Sequence, residues 1–301
     1  MKAVVMHGYG GVDQLRYEDV PDPKAGPDEV VVKLAATSVN PVDWKIRRGD
    51  MKNMMPLELP VILGRDAAGE VVEAGPNASN FSKGENVMGL ARHTYAEYVS
   101  IPAAALARIP DGLDPQLAGV LPLVLTTGAQ LIGHMRPERG AVVLVTGAVG
   151  SVGRTAVYEA KQRGARVIAG VRARQKKEAE ELRADDIVAI DDDREIEALP
   201  QLDAIADTVD HDVIVKLLPK LKAGGVLGSV LGKPKAAEGK NIRVEAFMAQ
   251  ADAALLQRLA EAVRDGGFTI PVVEKFKLSE AAEAQAMSER GGVDGKIMLV
   301  P

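Results

Sequence analysis

No cysteine occurs in the 301 residues of this chain. Disulfides, thiolate nucleophiles, iron–sulfur clusters and cysteine-ligated zinc are therefore excluded. Histidine is nearly as scarce: His7, His93, His134 and His211 are all there are, and no two stand at a metal-ligand spacing. Aromatic residues are few, and a surplus of basic charge is missing. The net charge of −5 argues against general nucleic-acid binding, which calls for a basic face. Long apolar runs are lacking too. The longest, Leu117 to Leu125, contains Pro122 and is too short to cross a bilayer. The opening Met1-Lys2-Ala3-Val4-Val5-Met6-His7-Gly8 is too short and interrupted for a signal peptide. A cytoplasmic chain without membrane or nucleic-acid partners is expected.

What is present suits a globular protein long enough for two domains. The first third divides into short strand candidates separated by Gly, Pro and Asn: Val30 to Ala36, Ala67 to Ala74, Asn86 to Leu90 and Tyr95 to Ile101. Helical periodicity is sparse until Asp114, a candidate N-cap with Pro115 at the first helical position. After Ala141 the pattern changes. Strands are expected at Val142–Thr146, Arg166–Val171, Ile187–Ile190, Ala204–Asp207 and Val226–Val230, alternating with helices. That succession implies βαβ units and a parallel sheet. Asn241 to Met248 offers a further strand. A helix over Ala253–Arg264, a strand over Val272–Phe276, a helix over Ser279–Glu289 and a strand over Lys296–Val300 complete the chain.

The richest segment is Val142-Val143-Leu144-Val145-Thr146-Gly147-Ala148-Val149-Gly150-Ser151-Val152-Gly153, followed by a helical Arg154–Lys161. Strand, glycine turn and helix N-terminus together can bind a pyrophosphate. Glycine lets the backbone approach the anion, and free N–H groups with the helix dipole favour its charge. The spacing is GxxGxxG rather than GxGxxG, so its context carries more weight than the pattern. A tight turn that merely packs a helix on a sheet is the rival reading. The next strand ends at Arg172, followed by Arg174, Lys176 and Lys177, and the first acid is Glu178. Cations there suit a ribose 2′-phosphate, and a carboxylate would repel it. NADPH is thus expected over NADH, although a solvated charged helix start accounts for Arg174 and Lys177 equally well.

Four further segments join the glycine turn: Ser38–Gly49, Leu63–Gly75, Leu121–Ala129 and Tyr95–Val99. In this order, and with the closing Gly295-Lys296-Ile297, the chain resembles the medium-chain dehydrogenase/reductase superfamily, in its zinc-independent quinone oxidoreductase and enone-reductase branch. The resemblance runs from Met1 to Val300. It implies an α/β fold in which a Rossmann doubly wound parallel sheet is inserted into a GroES-like, mostly β domain. Residues 1–119 with 250–301 would form the GroES-like substrate domain, and 120–249 the dinucleotide-binding domain. Zinc-dependent members carry a His-Glu pair where Arg65-Asp66 stands here, a catalytic cysteine and a four-cysteine lobe. Without zinc an alkoxide lacks a Lewis acid, so alcohol oxidation is not expected as the main activity.

The resemblance also implies roles. Asn40 matches a position beside the nicotinamide ribose and the substrate carbonyl, where its amide could donate to a developing oxyanion; an Asn-Pro turn is the plainer reading. Thr127 matches a threonine near the nicotinamide, against a simple helix-interior hydroxyl. Gly147, Ala148, Val149, Gly150, Ser151, Val152 and Gly153 would cradle the pyrophosphate. Lys176 matches a basic position of the 2′-phosphate site, and Arg172 replaces a small hydroxyl residue there. Asp207-Thr208-Val209 ends the fourth strand on the adenosine side, with Asp210 in place of a glycine. Gly228 and Leu231, with Gly232, would line the nicotinamide side. Asp43 and Lys45 read as a local surface ion pair, and His93 as a surface or pocket-lining side chain. Met51, Met54 and Met55 fit a substrate lip or an ordinary packed loop.

The expected function is NADPH-dependent, zinc-independent hydride transfer to a quinone or an α,β-unsaturated carbonyl. An enoyl-thioester reductase, or an NADPH-binding sensor with little turnover, stays open. Relatives often pair an edge strand of the Rossmann sheet, so a homodimer through Ile242–Phe247 is expected.

Overall fold

The computed structural model describes residues 1–209 and 211–301, His211 by its backbone alone; Asp210 and the expectation attached to it lie outside the described residues. The chain divides into two compact units. One comprises Met1–Leu123, Ala251–Gly266 and Ile270–Pro301; the other comprises Val124–Gln250 and Gly267–Thr269.

The first unit is mostly β. A three-stranded antiparallel sheet sets Lys2–Met6 between Leu15–Asp19 and Val61–Ile62. A seven-stranded sheet is organised around Glu29–Val39, which pairs with Asp66–Ala74, Tyr98–Pro102 and Lys296–Val300. The last of these brings the end of the chain beside residues near its start, with Ile297 opposite Val39. Val30, Val32 and Leu34 point one way from the long strand into a core with Val71, Val87 and Ile101, the period-two pattern of a strand with one buried face.

Two helices of this unit have clear local causes. Pro41–Arg48 starts with proline at its first position, where a missing N–H costs nothing, and stops at Gly49 in the left-handed conformation (φ 89°). Its Arg47 is buried and pairs with Glu289 of the helix Ala281–Arg290. Ala253–Arg264 is capped by the Asp252 carboxylate, which accepts from the Leu255 N–H at 2.9 Å, and buries Leu256, Leu259 and Ala260 on one face. The expected cap at Asp114 is present, although the helix it starts, Pro115–Ala118, is a single turn.

The second unit holds a six-stranded parallel sheet. Its spatial order is Asp186–Ala189, Arg166–Val171, Val142–Thr146, Leu202–Asp207, Leu221–Ser229, Arg243–Ala246. In sequence terms this is 3-2-1-4-5-6, the doubly wound dinucleotide-binding order, whose direction of winding reverses beside the first strand. That strand is buried on both faces: Val143 and Val145 enter one core with Ala156 and Ala160, and Leu144 enters another with Ile168 and Ile205. Burial on both sides explains its unbroken Val/Leu run. Among the described residues, no helix is long and apolar enough to cross a membrane.

Candidate active site

The glycine turn leaves the first strand at its carboxyl end. Gly147 has φ 60°, and a Cβ there would meet Thr208 Oγ1 at 2.8 Å and collide with Val209, so conformation and space both require glycine. Helix Ser151–Gln162 begins at once, with Gly150 as a cap that has no side chain to satisfy the first N–H groups. A Cβ at Gly150 would meet only the Gly147 carbonyl oxygen, at 3.1 Å, from an ordinary extended backbone (φ −67°). That contact is tight, and a shift of a few tenths of an ångström would be needed to admit a side chain. Gly153 differs: its Cβ would overlap the Gly147 oxygen and lie 2.8 Å from Ala148 Cα. Its smallness lets the helix sit against the turn. Ala148 and Val149 are buried, while Ser151 and Val152 are half-buried.

A residue not singled out from the sequence anchors this turn. Arg154, 2% exposed, donates from Nε to the Val149 carbonyl oxygen at 2.8 Å and from Nη2 to Glu178 at 2.5 Å.

At the end of the second strand Arg172 is exposed, and its guanidinium has no hydrogen-bond partner among the described residues. Lys176 is engaged: Nζ donates to both Glu195 oxygens, at 2.8 and 2.9 Å. Glu195 also accepts from the Ala189 N–H at 2.8 Å, and these two bonds hold its carboxyl below the usual range. Asp191 accepts from the Ala173 N–H at 2.8 Å. Carboxylates the linear sequence places well downstream therefore stand among the cations.

Asp207 is fully buried. Its carboxylate accepts from Thr146 Oγ1 at 3.2 Å, Ser229 Oγ at 3.0 Å and the Val209 N–H at 3.3 Å, tying together the ends of the first, fourth and fifth strands. Ser229 Oγ in turn accepts from the Leu231 N–H at 3.1 Å. Gly228 lies within the fifth strand, Leu221–Ser229. A Cβ there would strike Met135 and come within 2.8 Å of Leu131, so its demonstrable role is packing against helix Pro122–Met135. Thr127 is half-buried on the same helix, and the neighbouring Thr126 hydroxyl is buried without a hydrogen-bond partner among the described residues.

The first unit gathers a buried polar cluster around Asn40. Its Oδ1 accepts from Lys296 Nζ at 2.6 Å, and its Nδ2 donates to Asp66 Oδ2 at 2.8 Å. The second amide hydrogen meets only the Ser38 oxygens, at 3.5 Å. Asp66 is fully buried; it also accepts from Ser38 Oγ, from Lys296 at 3.2 Å and from the Leu123 N–H at 2.6 Å. Lys296 is 4% exposed, so the charges compensate inside the protein. Beside them the Asp43 carboxylate accepts from the Asn40 N–H at 2.8 Å and the Tyr95 hydroxyl at 2.9 Å. Burial pushes the Asp43 carboxyl up to about 6 and, with the Asp43 charge, raises the Tyr95 phenol well above its ordinary value. The expected surface pair of Asp43 with Lys45 is absent: Asp43 is buried, and the Lys45 ammonium lies 5.6 Å from the Trp44 ring centre. Residues two apart on a helix do not face each other, which is the physical reason.

His93 is exposed and bonds through Nδ1 to the Ile62 carbonyl oxygen at 2.8 Å. Met51 and Met55 pack on the core, while Met54 is 65% exposed. Among the described residues, no three His, Cys, Asp or Glu side chains are grouped to hold a metal ion.

The chain matches the alcohol dehydrogenase GroES-like domain over residues 26–111 and the zinc-binding dehydrogenase family over residues 182–299. It is 30% identical to the NADPH-dependent alkenal/one oxidoreductase, chloroplastic, of Arabidopsis thaliana, across 100% of this chain and 80% of that protein. This protein belongs to the medium-chain dehydrogenase/reductase superfamily. Its fold is similar to that of the quinone oxidoreductase from Coxiella burnetii, with a TM-score of 0.91 and 30% identity over 100% of this chain and 99% of that one. A mycobacterial protein solved in complex with NADPH gives a TM-score of 0.83 and 26% identity over the full length of both. The mostly β unit contains the superfamily's GroES-like domain, and the parallel sheet is its Rossmann sheet. As a member the protein is an oxidoreductase that uses a nicotinamide cofactor and a small-molecule substrate.

Proposed function

We propose that the protein is an NADPH-dependent reductase of quinones or α,β-unsaturated carbonyls that works without zinc. The carrying observation is the glycine turn, where Gly150 leaves the backbone open beside an uncapped helix end. A pyrophosphate fits that cradle: its charge meets free N–H groups and the helix dipole, and no side chain blocks it. Gly147 through Gly153 form the cradle, with Gly153 and Asp207 shaping it; Val209 serves the adenosine side, and Gly228 and Leu231 the nicotinamide side. Arg172 and Lys176 meet the 2′-phosphate. The names of the relatives support both the cofactor and the acceptor class.

When bound, NADPH supplies a hydride from C4 of the nicotinamide. The chain's own task is to hold an acceptor and balance the charge that develops on its oxygen. Asn40 retains one weakly used N–H for this, while Lys296 and Asp66 fix the amide's orientation. Thr127 is the nicotinamide-side hydroxyl. No dedicated acid is assigned, and solvent protonates the product carbon.

A zinc ion does not fit the residues present. Arg65 stands where a ligand is needed, with Nε on the Ala91 carbonyl oxygen at 3.0 Å, and Asp66 is taken up by its four neighbours. The same reading includes a homodimer joined along Arg243–Ala246, an outer strand of the six-stranded sheet.

The test is NADPH oxidation with quinones, enones, enoyl thioesters and simple ketones. Quinones or enones are expected to react fastest. Rapid ketone reduction alongside inert quinones and enones would overturn the assignment.

A further inference from the structure

The cations at the end of the second strand are not equivalent. Arg172 is exposed without a hydrogen-bond partner among the described residues, whereas Lys176 is held by both oxygens of Glu195. Glu195 is itself fixed. It stands on the short helix Asp193–Ala198 and accepts the Ala189 N–H at the end of the third strand. The lysine is thus tied to a carboxylate that the backbone keeps in place.

We propose that Glu195 is a specificity-determining residue that lowers the preference for NADPH by competing with the 2′-phosphate for Lys176. The inference rests on the reading of Arg172 and Lys176 as phosphate contacts. A phosphate dianion arriving there must either draw Lys176 away from Glu195 or share it. Drawing it away breaks a charge-assisted pair. Sharing it places phosphate and carboxylate around one ammonium, where they repel each other. NADH carries no 2′-phosphate and meets neither cost. The other nearby acids are differently occupied: Glu178 by Arg154 and Asp191 by the Ala173 N–H. Both partners of the pair are partly exposed, at 41% for Lys176 and 34% for Glu195, so the competition is modest.

The experiment is calorimetric titration of the full chain with NADPH and with NADH. It compares the unmodified protein with Glu195→Gln, Lys176→Met and the double variant. Glutamine keeps an oxygen for the Ala189 N–H and removes the charge. Glu195→Gln is expected to bind NADPH about two- to fivefold more tightly, with NADH affinity unchanged. In the Lys176→Met background the same substitution is expected to lose most of that gain. Glu195→Ala has the same expected sign and replaces the glutamine variant if thermal unfolding shows the latter to be misfolded. Unchanged or weaker NADPH binding, or an equal gain for NADH, overturns the inference while a loss of NADPH affinity in Lys176→Met leaves the cofactor reading standing. If Arg172→Gln with Lys176→Met leaves the NADPH-to-NADH ratio unaltered, the phosphate reading falls and takes this inference with it.

Discussion

Lys296 places its ammonium 2.6 Å from the side-chain oxygen of Asn40, a residue 256 positions earlier in the chain. The contact exists because Lys296–Val300 pairs antiparallel with Glu29–Val39. It determines which way the Asn40 amide faces: oxygen to the ammonium, nitrogen to Asp66. An asparagine so oriented offers its remaining N–H in one direction only.

Asn40→Ala is therefore expected to lower kcat on quinones or enones by about a hundredfold or more, in keeping with roughly 2.7–4 kcal/mol for one oxyanion donor. NADPH binding should change little. Steady-state rates beside direct NADPH titration separate the two; equal losses in both would assign Asn40 to cofactor binding instead.

Breaking the ion pair has a different signature. Lys296→Met leaves the fully buried Asp66 without its cation and is expected to cost about 3–5 kcal/mol of stability. Lys296→Met with Asp66→Asn should recover much of that loss. Urea denaturation of the three variants measures it, and additive costs would show that the pair is not coupled.

The two helix-side glycines should part company. Gly150→Val brings its Cβ 3.1 Å from the Gly147 carbonyl oxygen, a tight contact that a small shift relieves, so the protein is expected to fold and lose NADPH binding. Gly153→Val drives a side chain into the Gly147 carbonyl and should destabilise the fold itself. Thermal unfolding and NADPH titration on both variants check this; normal NADPH binding by Gly150→Val would make the turn purely structural.

Asp43 gives stability a specific pH dependence. Its carboxyl lies near 6 in the folded protein, raised mainly by burial from about 3.8 in the unfolded chain. A raised folded value means that the protonated group favours the fold, fully below the unfolded value. That contribution is lost as pH climbs from about 3.8 to about 6. Two units correspond to about 3 kcal/mol. Asp43→Asn keeps an acceptor for the Asn40 N–H and the Tyr95 hydroxyl and should remove this slope. The difference between the two proteins' denaturation curves isolates it from carboxylates shifted the other way, and parallel pH profiles would refute it.

Chelation provides a further check. With no cysteine in the chain and Arg65-Asp66 engaged elsewhere, exhaustive chelator treatment is expected to leave turnover unchanged and elemental analysis to find no stoichiometric zinc. A tightly bound zinc whose removal abolishes activity would refute the zinc-free reading.

The inner strands Val142–Thr146 and Arg166–Val171 were readable because they bury both faces and so show an almost unbroken apolar run, whereas the outer Arg243–Ala246, half-buried and charged, shows none. Helix Ala253–Arg264 was readable for the opposite reason, a single buried face. Helix Pro122–Met135 was legible only around Thr127, and its bounds were not, because much of its circumference is buried, which erases the 3.6-residue period. Pro41–Arg48 hid behind an Asn-Pro pair that looks like a turn and a charged sequence that includes the buried Asp43 and Arg47. Lys296 was visible only as part of a motif. Its partners come from distant strands, and nothing local reveals a buried ammonium. The Lys176–Glu195 pair was hidden likewise by the 19 positions that separate them.

The Arg154 contacts bear on how binding is distributed in energy. The Val149 carbonyl is held by Arg154, Thr146 by Thr208, and Val209 by Asp207, all through the protein's own atoms. The proposed anion cradle is thus preorganised. Little chain entropy remains to be lost when a dinucleotide arrives, so affinity comes chiefly from the contacts themselves. Ordering of the turn belongs to folding rather than to ligand capture.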